Sequence, residues 1–339
     1  MAINYRFAQP SRTERNRQNH LYPEAVFPFG YPVLTDPYTG KTAGRLARCQ
    51  ASNTCPKVFE INSANEYWVK AASLLHTDLQ GNDLPDPDNV RFFLIAGAQH
   101  GTGNATSRGI CQQLQNPTNA EPVLRALFVA LDDWVTRGID PPASRVPRRS
   151  DGTTVMAVAQ PGSPTGIVPQ AALGWPTIPG VTYTGTITTR YQLDFGPQFD
   201  KGILTNYPPS LIGRPVYPCF VSKVDPDGNE QAGIRLPPVA APVATTTGWA
   251  LRRDGYGEND GCESAGQYIP FRKTKAERLA TRNTGIIDSR LSLQERYKTH
   301  RGYVKAVRQS ARNLARQRLL LDEDVQKYIK EAEAGDVLK

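Results

Sequence analysis

The sequence has no apolar run approaching the roughly 18–20 residues of a membrane-spanning helix, so no integral membrane segment is expected. Met1 leads into "AINYRFAQPSRTERNRQ", which lacks the apolar stretch of a signal peptide. Histidines number only four and are scattered, and no Cys-x-x-Cys pair occurs, so no metal site is expected. Neither "GTGNAT" nor "GYGENDG" has G-x-G-x-x-G spacing, and "TGKTAG" lacks the glycine that a phosphate-binding loop needs before Gly40, so no cofactor is expected either. Five cysteines are too few for a disulfide scaffold. Cys49 and Cys55, in "RCQASNTCPK", could close a small loop in an oxidising compartment or remain two free thiols. Both readings stay open, and so does the redox compartment.

The net charge of +8 suggests nucleic acid until it is located. Residues 296 to 318 carry Arg296, Lys298, Arg301, Lys305, Arg308, Arg312, Arg316 and Arg318 with no acid among them, which accounts for all eight charges. The rest of the chain is balanced. These charges surround an ordinary apolar stripe and few aromatics, so a solvated helix face fits better than a nucleic-acid or membrane surface.

What is present reads as an α/β protein. "KVFEI" at 57–61 is a short buried strand. "EYWVKAASLL" at 66–75 has helical spacing, with Trp68, Ala71, Ala72 and Leu75 on one face. "VRFFLIAG" at 90–97 is a second strand. "EPVLRALFVALDDWVTRG" is the clearest helix, with an apolar stripe of Leu124, Leu127, Phe128, Leu131, Trp134 and Val135 and a stop at Gly138. Strand–helix–strand–helix in this order implies a parallel sheet.

From about residue 141 to 273 the chain is β-rich and loop-rich. "VTYTGTITTRYQLDF" alternates like a strand, and "PVYPCFVSKVDPDGNEQAGIRLPPV" has the form of a hairpin about "DPDGN". Residues 274–330 form a helical tail. There Ser292 and Glu295 make a capping box, Val304, Val307, Ala311 and Leu314 make a buried stripe in one basic helix over 292–318, and Asp322 caps a last helix through Ile329.

Two residues carry the chemistry. His100, in "NVRFFLIAGAQHGTGN", lies at the carboxyl end of a strand, where α/β sheets open their ligand crevice. A histidine there can act as base and then acid. Glu66 follows the preceding strand by one short turn and could orient the imidazole, as the acid of a triad does. The same residue completes Ser63-x-x-Glu66, a capping box, so a purely structural role competes. Asp78 and Asp83 are weaker candidates for the acid. Acid and then histidine on consecutive strands is the downstream half of the layout nucleophile, acid, histidine.

The nucleophile is absent from this pattern. Ser163 in "QPGSPTG" comes nearest to G-x-S-x-G but follows the histidine and has its glycines misplaced. Ser11 and Ser52 precede Glu66 without a strand–turn–helix setting. Cys111 in "SRGICQQ" is the remaining thiol candidate, with nothing around it to activate it.

"INYRFAQPSR", "PKVFEINSANEYWVKAASLLHTD", "DNVRFFLIAGAQHG", "NPTNAEPVLRALFVALDDWVTRGIDPPASRVP", "TTGWALR" and "RLSLQERYKTHRGYV" together resemble a large bacterial family of alpha/beta hydrolase domain proteins. The resemblance runs from Asn4 to about Ile329. It implies a serine-hydrolase ancestry with esterase-like chemistry on a small-molecule ester, with Glu66 and His100 at the positions of acid and histidine. Members of that family carry several hundred further residues upstream, which hold the first strands, the oxyanion loop and a serine in a sequence like G-x-S-Q-S. The expectation is therefore a partial α/β-hydrolase fold covering 1–330. Its sheet end carries the acid and histidine in 1–140, and the missing amino-terminal half is its natural partner. A non-catalytic module that docks on a separate polypeptide is the alternative. The resemblance implies export to the periplasm if a longer form carries a signal peptide, and the cytoplasm otherwise.

Overall fold

The computed structural model describes residues 27–160, 165–206, 210–262 and 264–339. Ser11, Ser163 and the "INYRFAQPSR" segment lie outside the described residues.

Two strands, β1 (Val58–Ser63) and β2 (Val90–Ile95), form the parallel pair at the centre. Their register sets Val58 beside Val90 and Ser63 beside Ile95, so both strands end at the same level. The helix α1 (Ala64–Lys70) follows β1 directly, and α2 (Glu121–Thr136) follows β2 after a long loop. Phe93 and Ile95 point to one face of β2 and pack with Val123 and Leu127 of α2. Phe92 and Leu94 point to the other face and join a larger core with Tyr67, Trp68, Trp175 and Trp249. This alternation is the period of two that a strand buried on both faces requires.

On its far side β2 meets the chain twice more. Arg145 bridges Phe93, and Ile234 bridges Ile95, both in parallel sense. The "DPDGN" turn forms as expected, with Val224 bridged to Glu230 and the Asp225 side chain accepting the N–H groups of Asp227 and Asn229 at 3.0 Å each. Its arms do not continue as a hairpin, however. Residues 220–222 pair instead with 154–156, and the second arm runs on beside β2. Across 141–273 the strands are short and antiparallel, in several small sheets.

Three helical expectations need correction. The run 66–75 is not one helix, because Ala71 takes a left-handed conformation (φ 55°) and donates its N–H to the Glu66 carbonyl; a 3-10 turn follows. The basic helix is likewise two: α3 (Leu293–Tyr297) ends at Lys298 (φ 67°), and α4 (His300–Arg316) restarts with Thr299 as cap. The last helix, α5 (Asp322–Ala334), is capped at Leu321 without a side-chain bond and extends beyond Ile329. The Ser292–Glu295 capping box and the buried stripe of α4 are as expected.

The stripe of α2 is also only half right. Leu127 and Trp134 are buried, but Leu124 (42%), Phe128 (75%) and Val135 (59%) are exposed. One flank of α2 meets α5 through Arg125–Asp324 and the turn after α4 through Asp133–Arg318. At 100° per residue the exposed residues occupy the opposite flank, on the side of β1. Among the described residues no strand pairs with the outer edge of β1. No helix among them is long and apolar enough to cross a membrane.

Candidate active site

Ser63 ends β1 and caps α1, which places Glu66 on the first turn, just beyond the strand's carboxyl end. The two carboxylate oxygens divide their work. Oε2 accepts the Ser63 N–H at 2.7 Å and the Ser63 hydroxyl at 2.5 Å. Oε1 faces Nδ1 of His100 at 2.6 Å and Lys70 Nζ at 3.6 Å. The capping role and the histidine contact therefore coexist in one side chain.

Burial pushes the Glu66 pKa up, but hydrogen bonds from His100 and Ser63 and the charge of Lys70 prevail and hold it below the ordinary carboxylate value. An ionised carboxylate accepts, so Nδ1 carries a proton, and in the neutral imidazole the lone pair is left on Nε2. The His100 side chain is 34% exposed, and Nε2 has no hydrogen-bond partner among the described residues. An imidazole held at Nδ1 by a carboxylate, with Nε2 unpartnered, is an arrangement that general acid–base chemistry could use.

The His100 loop is held at several points. Gly97 leaves β2 with φ 63°, and a Cβ there would meet Thr246 Oγ1 at 2.7 Å, so both conformation and space call for glycine. The Gly97 carbonyl accepts from Asn116 Nδ2, which also reaches the Thr247 carbonyl at 2.9 Å. Gln99 Oε1 accepts Asn116 N–H at 3.2 Å and Gly266 N–H at 2.7 Å, and His100 N–H reaches the Ser264 carbonyl at 3.1 Å. A disulfide, Cys111–Cys262, joins the loop after His100 to the segment that ends at Ser264. Gln99, Asn116 and this disulfide went unnoticed in the sequence. The parity of Cys111 and Cys262 carried no spacing signal, because 151 residues separate them.

The other candidates fall away on geometry. Asp78 accepts the N–H groups of Gln80 and Asn82, and Asp83 those of Arg149 and Ser150, so both serve turns. Cys111 is oxidised and no thiol nucleophile. Cys49 and Cys55 form the small loop disulfide. Cys219 is free but buried, and burial pushes its thiol up to about 11, away from thiolate. His76 is buried against the Tyr67 hydroxyl at 2.9 Å and pushed down to about 3, chiefly by burial, so it stays neutral. His300 bonds the Val337 carbonyl at 2.8 Å. Among the described residues no serine hydroxyl or cysteine thiol is hydrogen-bonded to His100, and no group of three or more His, Cys, Asp and Glu could hold a metal ion.

No curated protein and no solved structure matches the chain. A family model described as "Alpha/beta hydrolase domain" matches residues 11–330, nearly the whole sequence. With parallel strands at its centre and that match along its length, the chain belongs to the alpha/beta hydrolase domain family.

Proposed function

We propose that the chain is the acid-and-histidine portion of a serine-dependent hydrolase acting on carboxylic esters, with Glu66 orienting His100 as general base and acid. The observation that carries this reading is the 2.6 Å contact between Glu66 Oε1 and His100 Nδ1 at the carboxyl ends of adjacent parallel strands. A serine hydroxyl presented to Nε2 would lose its proton to the imidazole as it attacks the ester carbonyl. The resulting imidazolium, stabilised by the Glu66 carboxylate, would return the proton to the departing alkoxide. Water then repeats the cycle on the acyl-enzyme, regenerating serine and releasing the acid.

The serine and the oxyanion donors belong to a polypeptide other than the described residues in this reading, so the chain alone has no appreciable activity. The open edge of β1 and the exposed flank of α2 support that view. Parallel strands normally have neighbours on both sides, and apolar helix flanks are normally covered. The same two features favour a second reading, a non-catalytic module that docks on a separate amino-terminal polypeptide.

An assay of the purified chain on p-nitrophenyl acetate, with His100→Ala as control, tests the first reading. Turnover indistinguishable between the two is expected, and robust His100-dependent turnover would overturn the missing-nucleophile argument. Co-expression with the polypeptide encoded immediately upstream separates the readings. His100-dependent esterase activity in the complex supports the split enzyme, and a complex without activity supports the module.

A further inference from the structure

A second buried acid lies close to the Glu66–His100 pair. Glu230 is 4% exposed and stands just after the "DPDGN" turn, fixed by the Val224 bridge. From there the chain runs alongside β2, with Ile234 N–H on the Leu94 carbonyl at 2.7 Å and Ala96 N–H on the Ile234 carbonyl at 3.1 Å. This delivers the Glu230 side chain beneath the end of β2. Its Oε2 accepts the Gly97 N–H at 2.8 Å, and its Oε1 has no hydrogen-bond partner.

A carboxyl buried with one hydrogen bond and one bare oxygen is costly. Burial pushes Glu230 up to about 7, against the opposing pull of the Gly97 N–H and the Arg235 charge. Arg235 is itself committed to Asp225 at 2.7 Å and does not bond Glu230. What the carboxyl does hold is the residue at which β2 turns toward His100. Gly97 is gripped on both sides, its N–H by Glu230 and its carbonyl by Asn116. Three residues later the imidazole meets Glu66. Beyond Gly97 the loop is held by Gln99 on Asn116 and Gly266 and by the His100 N–H on the Ser264 carbonyl, and Glu230 fixes the point at which that loop leaves β2.

We propose that Glu230 is a positioning residue for His100: its buried carboxyl fixes the Gly97 peptide and so sets the turn that presents His100 to Glu66. The proposal rests on the reading of Glu66 and His100 as a working pair.

The test uses a spectroscopic signature of that pair, which does not require activity. A histidine Nδ1–H shared with a carboxylate gives a proton resonance far downfield of the amide envelope, recorded at low temperature to slow exchange. Its absence in His100→Ala assigns it. The wild-type chain should show it, Glu230→Gln should retain it through the amide oxygen, and Glu230→Leu and Glu230→Asp should lose it while remaining folded by circular dichroism. The shorter Asp cannot reach the Gly97 N–H yet keeps the carboxyl group, so the Asp and Gln pair decides if Glu230→Leu does not fold. The proposal is overturned if folded Glu230→Leu or Glu230→Asp keeps the resonance at wild-type strength, or if Glu230→Gln loses it as they do. A wild-type chain with no such resonance would instead sink the Glu66–His100 pair itself.

Discussion

His100 Nδ1 lies 2.6 Å from Glu66 Oε1, although 34 residues separate them in the chain. Sheet pairing makes the contact: β1 and β2 run parallel in register to Ser63 beside Ile95, and each residue follows its own strand's end by a few positions. Because the other oxygen of Glu66 caps α1 through Ser63, a helix terminus holds the acid that holds the histidine. That sharing holds the carboxylate at both of its oxygens.

The shared carboxylate should be visible in the pH dependence of stability. Glu66 is depressed in the folded chain, so its contribution is fully present above the unfolded carboxylate value and is lost as pH falls through the lower folded one. Urea unfolding of wild type and Glu66→Gln at several pH values checks this. The wild type should be the more stable at about pH 6, with the difference shrinking toward about pH 3 as the carboxylate protonates. A difference constant across that window would show that the carboxylate charge contributes nothing.

Catalysis should depend on the same atom if a polypeptide bearing the nucleophile completes the site. Glu66→Gln removes the partner that fixes the imidazole tautomer, and a loss in kcat of about 10⁴-fold is the scale known for such a change. KM should move little, because Glu66 lies behind the histidine, away from Nε2. A kcat within a factor of about ten of wild type would mean that another group orients His100.

The elements that the sequence announced were those set by local chemistry. The strand before His100 is a largely apolar run, and Ser63–Glu66 and Ser292–Glu295 are capping boxes with short-range geometry. What it hid depends on partners distant in the chain. Ala71 and Lys298 break helices from the left-handed region without a glycine to mark them. The second arm of the "DPDGN" turn reads as a hairpin strand, yet Ile234 pairs with Ile95 because β2 offers a free edge to an apolar residue. The stripe of α2 has uniform apolar periodicity, and periodicity does not say which flank finds a neighbour.

The two disulfides should differ in what they contribute. Cys111–Cys262 closes a separation of 151 residues and Cys49–Cys55 one of 6. Loop-closure entropy then gives about 5 kcal/mol for the first and about 2 kcal/mol for the second. Thermal unfolding of Cys111→Ala/Cys262→Ala against Cys49→Ala/Cys55→Ala should place the first pair well below the second in Tm. The first should also expose the loop over 101–110 to trypsin at Arg108, since the bridge ties that loop to the 262–264 segment. An equal loss in both would show that the entropy of the long loop is not what the bridge removes.

Adjacent residues of α2 offer the sharpest contrast between a covered and an uncovered flank. Leu127 is fully buried against Phe93, Ile95 and Ile234, whereas Phe128 is 75% exposed. Leu127→Ala removes packed methyls and leaves a cavity, so a loss of about 2–5 kcal/mol is expected. Phe128→Glu removes apolar surface from water without disturbing a contact, and its effect on stability should stay within about 0.5 kcal/mol. Its effect on association should be larger: light scattering should show less self-association than wild type, because the flank with Leu124 and Val135 no longer presents a continuous apolar surface. If a separate polypeptide completes the site, the same substitution should weaken its binding while leaving the Glu66–His100 resonance in place. A Phe128→Glu chain as unstable as Leu127→Ala would mean that this flank is already covered within the chain itself.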